Sequence, residues 1–156
     1  MPENNANFGP SEYGYYPIGS GSDWFTKWME VCPPRSGWKF HVSADFQTAV
    51  TIARSVLPAL REIAVFHKVV RDLQRYIEFC QTPQAGKFIT IYTCGTAQGQ
   101  QVLDAIDPSL CRLRRNGFVR RGAVPTTGES NHTEYELPIG RSGLIFVRWY
   151  EEGSDD

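Results

Sequence analysis

A chain of 156 residues with 41% apolar and 13% aromatic content is long enough for one domain with a real core and short for two. Its formal net charge of −1 gives no global pull toward nucleic acid or a membrane surface, and no apolar run approaches membrane-spanning length. The opening residues lack a basic start followed by an apolar stretch, so a secretory signal is not expected and a cytoplasmic location is.

Residues 1–22 are rich in Asn, Gly, Ser and Pro and read as a flexible lead-in with Tyr13, Tyr15 and Tyr16 as anchors. The stretch "DWFTKWMEV" suggests a short helix capped by Asp23 and ended by Pro33 and Pro34. A strand follows over 37–43, in "GWKFHVSA". Trp38, Phe40 and Val42 alternate there with Lys39, His41 and Ser43, so a lysine and a histidine share the face opposite the apolar set. Asp45 then caps a helix in which Val50, Ala53, Val56, Leu57 and Leu60 recur at helical spacing, with Pro58 expected to kink or shorten it.

"AVFHKVV" reads as a strand leading into a helix, with Val69, Val70, Leu73, Tyr76 and Ile77 inward and Arg71 and Arg75 outward. Strand alternation sets His67 opposite Lys68. "TPQAG" is a turn. "KFITIYT" is the clearest strand of the chain, and its Tyr92 shares a face with Phe88 and Thr90. Residues 97–113 form an amphipathic helix with Val102, Ile106, Leu110 and Leu113 on one side, and 114–132 a polar loop. "EYELPIG" and "SGLIFVRWY" make a closing strand pair around a turn at Gly140 to Gly143, and 151–156 an acidic, disordered tail. Consecutive strands at the end argue for an α+β fold: one domain over 23–150, a twisted, mainly antiparallel sheet with packed helices.

Several chemistries lack their motifs. "GTAQGQ" has no lysine and hydroxyl for a phosphate-binding loop, and neither a G-x-S-x-G elbow nor the protein-kinase set occurs. Cys32, Cys80, Cys94 and Cys111 are widely spaced, so they read as reduced, partly buried thiols rather than zinc ligands, and no metal site is expected. The run "CRLRRNGFVRR" offers two readings, a patch for a polyanion or a helix end whose cations complement the helix dipole.

Three stretches in order, "GWKFHVSA", "HKVVRDL" and "GKFITIYT", resemble the N-terminal lyase domain of class III lanthipeptide synthetases, a domain related to the phosphothreonine lyases that some pathogens secrete as effectors. "PIGRSGLIFVRW" resembles that domain's closing strands. The resemblance implies a phosphothreonine-lyase-like fold and β-elimination of phosphate from phosphoserine or phosphothreonine, giving dehydroalanine or dehydrobutyrine, with no cofactor. It makes Lys68 the base, His41 the acid, Lys39 and Tyr92 further active-site groups, and Lys87, Arg141 and Arg148 a cradle for phosphate or peptide backbone. Lys39 and His41 on one face suit the tasks of holding and protonating a phosphate. A lysine with its ordinary pKa of about 10.4 takes no proton at neutral pH, so Lys68 needs apolar neighbours or a nearby cation to lower it.

Synthetases of this kind carry kinase and cyclase domains in the same chain, which this sequence lacks, so a separate Ser/Thr kinase and a cyclase are the expected partners of a standalone lyase acting on a phosphorylated precursor peptide. The effectors carry an arginine before their Tyr-ending strand, where this chain has "QTPQAG". Two other functions stay open: a module that binds a phosphopeptide or leader peptide without turnover, and an effector-type lyase that disarms a phosphorylated kinase.

Overall fold

The computed structural model describes residues 7–8, 14–18, 23–26, 33–127 and 134–151. In chain order the elements are β1 (Tyr16–Pro17), β2 (Trp24–Thr26), β3 (Ser36–Val42), α1 (Ala49–Glu62), β4 (Phe66–Val70), α2 (Leu73–Glu78) running into a 3₁₀ turn (Phe79–Gln81), β5 (Ile89–Tyr92), α3 (Thr96–Arg115), β6 (Leu137–Pro138) and β7 (Ile145–Glu151). The strands form one sheet in the order β1-β2-β4-β5-β3-β7-β6, and every neighbouring pair is antiparallel. This is the expected α+β architecture.

The alternation in β3 decides what each face of the sheet carries. Phe40 and Val42 point to the side that holds the helices: the Phe40 ring lies so close to Gly99 of α3 that a Cβ there would sit 3.3 Å from it. Cross-strand partners share a face, so Ile89 and Ile91 of β5, Val69 of β4 and Ile145 of β7 join them. Ile52, Val56, Leu57 and Leu60 of α1 and Val102, Ile106 and Leu110 of α3 close this core. Each side chain so buried contributes about 1.5–3 kcal/mol of transfer free energy. Lys39 and His41 point to the other face.

Pro58 neither ends nor shortens α1, which runs on to Glu62. Pro58 and Pro108 of α3 both lie on exposed sides of their helices, where the carbonyl one turn back finds water instead of the missing N–H. Asp45 is not the cap of α1. Thr48 takes that place, and Asp45 accepts from Gln47 N through Oδ1 while its carbonyl accepts from Thr48 N, a turn ahead of the helix. Val69 and Val70 belong to β4 rather than to the following helix, which is short and starts at the true cap Asp72, whose Oδ1 accepts from Arg75 N at 2.8 Å.

The expected helix at Asp23 is a strand as far as it is described, and 27–32 lie outside the described residues. β4 has an open edge beyond β5, and Trp24 and Phe25 pair with Val70 and Val69 to satisfy it. Asp23 holds that corner, its carbonyl accepting from Arg71 N at 2.7 Å and its carboxylate from Arg75 Nε at 2.8 Å. Of the early tyrosines, Tyr13 lies outside the described residues, Tyr15 is buried and hydrogen-bonded to His67 Nε2 at 2.6 Å, and Tyr16 is in β1. Of the cysteines, Cys111 is half-buried but Cys80 and Cys94 are exposed free thiols, because they fall in the turn after α2 and the loop before α3 rather than on an inward face. No described helix is long and apolar enough to cross a membrane.

Gly37 explains the start of "GWKFHVSA". Its φ is +154°, and a Cβ there would lie 1.7 Å from the carbonyl oxygen of Thr93. That close approach lets Thr93 donate to Trp38 O from both its N–H and its hydroxyl, at 2.9 and 2.8 Å. Gly37→Ala should therefore cost about 3 kcal/mol or more, since backbone blocks the new methyl. Urea denaturation would read it, and a midpoint equal to wild type would contradict this packing.

Candidate active site

The face opposite the helices collects polar groups from the four central strands. Lys39 of β3 is paired with Tyr92 of β5 and Arg148 of β7, and His41 with Thr90 and Phe146. Lys68 of β4 is paired with Thr90, and Phe66 with Tyr92. Register thus sets Lys39, His41, Lys68, Tyr92 and Arg148 on one face. Four of them are buried, Lys39 at 0% exposed, His41 1%, Lys68 8% and Tyr92 6%, while the Arg148 side chain is 14% exposed.

Aromatic rings line the lysines. The Lys39 ammonium lies 5.0 Å from the centre of the Tyr92 ring and 5.1 Å from that of Tyr150. The Lys68 ammonium lies 4.5 Å from the Trp24 ring centre and 5.6 Å from that of Tyr92. Tyr92 thus stands between the two ammonium groups and packs edge-on against Phe66 and Tyr150. Ring faces attract cations through their quadrupole.

Glu136, which sequence reasoning did not single out, is the buried carboxylate of this cluster. It is 3% exposed, and His41 Nδ1 lies 2.7 Å from its Oε1. A carboxylate only accepts, so Nδ1–H donates and the neutral ring leaves Nε2 bare. Arg148 Nε approaches Glu136 Oε2 at 3.5 Å. The signal for Glu136 was available. Leu137 pairs with Val147, so the residue before Leu137 falls opposite Arg148, on the face of His41.

Burial pushes His41 down to about 4; Glu136 pulls it upward, while Lys87 and Lys39 push it down again. Lys87 is therefore within electrostatic reach of His41, and it is fully buried. His67 points to the helix side, as alternation requires, and binds Tyr15 and the Val65 carbonyl. Burial likewise brings it to about 4.

Both histidines make stability depend on pH. In the unfolded chain they take protons near the ordinary 6.5, while in the fold they stay neutral to about 4. The unfolded state binds more protons in that window, so their contribution is fully present above it and is lost as pH falls through it. The expected loss between pH 7 and pH 5 is roughly 2 kcal/mol per histidine. Denaturation midpoints in phosphate-free buffer check this, and equal midpoints would contradict neutral histidines.

Arg141 is placed apart from the reach of these contacts. It lies in the turn between β6 and β7, where its N–H donates to Asp107 Oδ2 at 2.7 Å. It lines an open groove of ≈ 960 Å³ along α3 with Arg112, Arg114 and Arg115. The arginine-rich run is partly tied into the fold: Arg114 donates to the Ser142 carbonyl at 2.6 Å, and Arg120 pairs with Asp45 at 2.9 Å.

This architecture is that of the phosphothreonine lyases. A mutant of the Salmonella plasmid virulence C protein (SpvC) superposes with a TM-score of 0.57 over 88% of this chain and 65% of its own, at 15% identity. The Chromobacterium violaceum VirA (SpvC) phosphothreonine lyase effector gives 0.56 over 94% and 74%, at 16% identity. The type III effector and phosphothreonine lyase OspF from Shigella flexneri gives 0.54 over 83% and 66%, at 17% identity. The chain thus spans about two thirds of the length of the Salmonella and Shigella proteins. No curated protein matches it by sequence. The family of the RamC N-terminal domain matches residues 16–114, and the chain belongs to that family.

Proposed function

We propose that this protein is a phosphoserine or phosphothreonine lyase that acts on a peptide and eliminates phosphate. The observation that carries the reading is the placement of Lys68 and His41 on one sheet face, either side of Thr90, among Lys39, Lys87 and Arg148. A base and an acid beside an anion-holding set are what this reaction needs, and the fold is one that lyases of this kind use.

In the proposed reaction the Lys68 ε-amine takes the α-proton. That electron pair forms the Cα=Cβ bond, and the Cβ–O bond breaks with its pair passing to the phosphate. His41 delivers a proton to the departing oxygen from Nε2, while Glu136 fixes the ring through Nδ1. An empty site keeps His41 neutral. A phosphate dianion favours the imidazolium, so substrate binding itself charges the acid. Lys39, Lys87 and Arg148 hold the phosphate, and Tyr92 polarises the carbonyl whose α-carbon loses the proton. Arg141 would serve a more distant part of the peptide.

Membership in the RamC N-terminal domain family favours a phosphorylated precursor peptide in ribosomal peptide biosynthesis, with a Ser/Thr kinase making the phosphate ester and a cyclase taking up the alkene. The likeness to effector lyases favours a second reading, removal of a regulatory phosphothreonine from a protein kinase. Incubation with synthetic phosphopeptides, read by mass spectrometry, tests the chemistry. A product one water lighter than the unphosphorylated peptide is expected. Recovery of the plain hydroxyl peptide would indicate hydrolysis and overturn the reading. Tight binding of an unchanged phosphopeptide would replace it with a binding module.

A further inference from the structure

We propose that the Thr90 hydroxyl is a phosphate-holding donor, placed between base and acid to bind a non-bridging oxygen of the substrate phosphate. The inference rests on the lyase reading of this face and adds a residue to it. β5 lies between β4 and β3, and Thr90 is the residue of β5 paired with both Lys68 and His41. It is 1% exposed, and its Oγ1 has no hydrogen-bond partner among the described residues.

Three other buried hydroxyls of the sheet and its flanks behave differently. Thr26 donates to the His67 carbonyl at 2.7 Å, Ser43 to the Ala123 carbonyl at 2.7 Å, and Thr93 to the Trp38 carbonyl at 2.8 Å. A buried hydroxyl left without a partner costs free energy. Valine has the same shape, suits a strand at least as well and carries no such penalty. Thr90 thus holds a polar group where packing alone favours an apolar one. Its two register partners are the groups the reaction uses, and the surrounding cations draw an anion to the same face. A hydroxyl donor is what a phosphate oxygen accepts.

Thr90→Val and Thr90→Ser test the assignment with two probes, inorganic phosphate by calorimetry and a phosphothreonine peptide by kinetics. Thr90→Val should melt at or above the wild-type temperature in phosphate-free buffer. It should bind phosphate about tenfold more weakly and lose about tenfold or more in kcat/KM, in line with a hydrogen bond to a charged group. Thr90→Ser should restore both within a few-fold. Unchanged phosphate affinity and kcat/KM in Thr90→Val would overturn the assignment. So would a Thr90→Val protein that is strongly destabilised or fails to fold, since the hydroxyl would then have a structural partner. If the wild type binds phosphate without eliminating it and Thr90→Val weakens that binding, the donor role stands and the lyase reading falls. A wild type that neither binds phosphate nor eliminates it from the phosphopeptide overturns both.

Discussion

Lys68→Ala should abolish elimination, with kcat lowered about 10³-fold or more, while phosphopeptide affinity stays within a few-fold of wild type. The expectation follows from the position of Lys68. It is the lysine on β4, across β5 from Lys39, and its ammonium sits 4.5 Å from the centre of the Trp24 ring. As the base, it contributes only while the α-proton moves. A ground-state binding residue would instead raise KM and leave kcat unchanged. Single-turnover assays with the precursor of either reading separate the two, and a variant that merely binds more weakly would remove Lys68 from the proton-transfer step.

His41→Ala should cost about 10²–10⁴-fold in elimination, with a different signature. Proton removal by Lys68 does not require the acid, whereas expulsion of phosphate does. In D₂O the His41→Ala protein should therefore wash deuterium into the α-position of intact phosphopeptide, and Lys68→Ala should not. Glu136→Gln should fall between wild type and His41→Ala, because it keeps a side-chain acceptor for Nδ1–H but withdraws the charge that supports the imidazolium. Absence of exchange in every variant would place the two proton transfers in a single, concerted step.

The central strands and much of this site were legible in the sequence because strand alternation is a two-valued code. Once Trp38, Phe40 and Val42 are read as inward, Lys39 and His41 must share the other face, and the same logic separates Lys68 from His67. What stayed hidden depended on partners far along the chain. "DWFTKWMEV" has a helical look, but Trp24 and Phe25 become strand because β4 offers an open edge that local propensity does not reveal. Glu136 sits in "EYELPIG", 95 residues from His41, and only the pairing of β6 with β7 carries it there. Arg141 and Arg148 look equivalent in "GRSGLIFVRW". The turn at Gly140 directs the first toward Asp107 of α3, while the strand carries the second to Glu136.

The order of the strands also bears on synthesis. β3 is made early, yet one of its two neighbours, β7, is the last described strand. A nascent chain still lacking Ile145–Glu151 leaves β3 with a bare edge and His41 without the Glu136 contact held by the closing strand pair. The polar cluster is therefore complete only when the sheet is, and a partly made chain has Lys39, His41 and Lys68 without Glu136. Pairing between segments so far apart is slow to form. Formation of the His41–Glu136 contact would then serve as a clock for the final closure of the sheet.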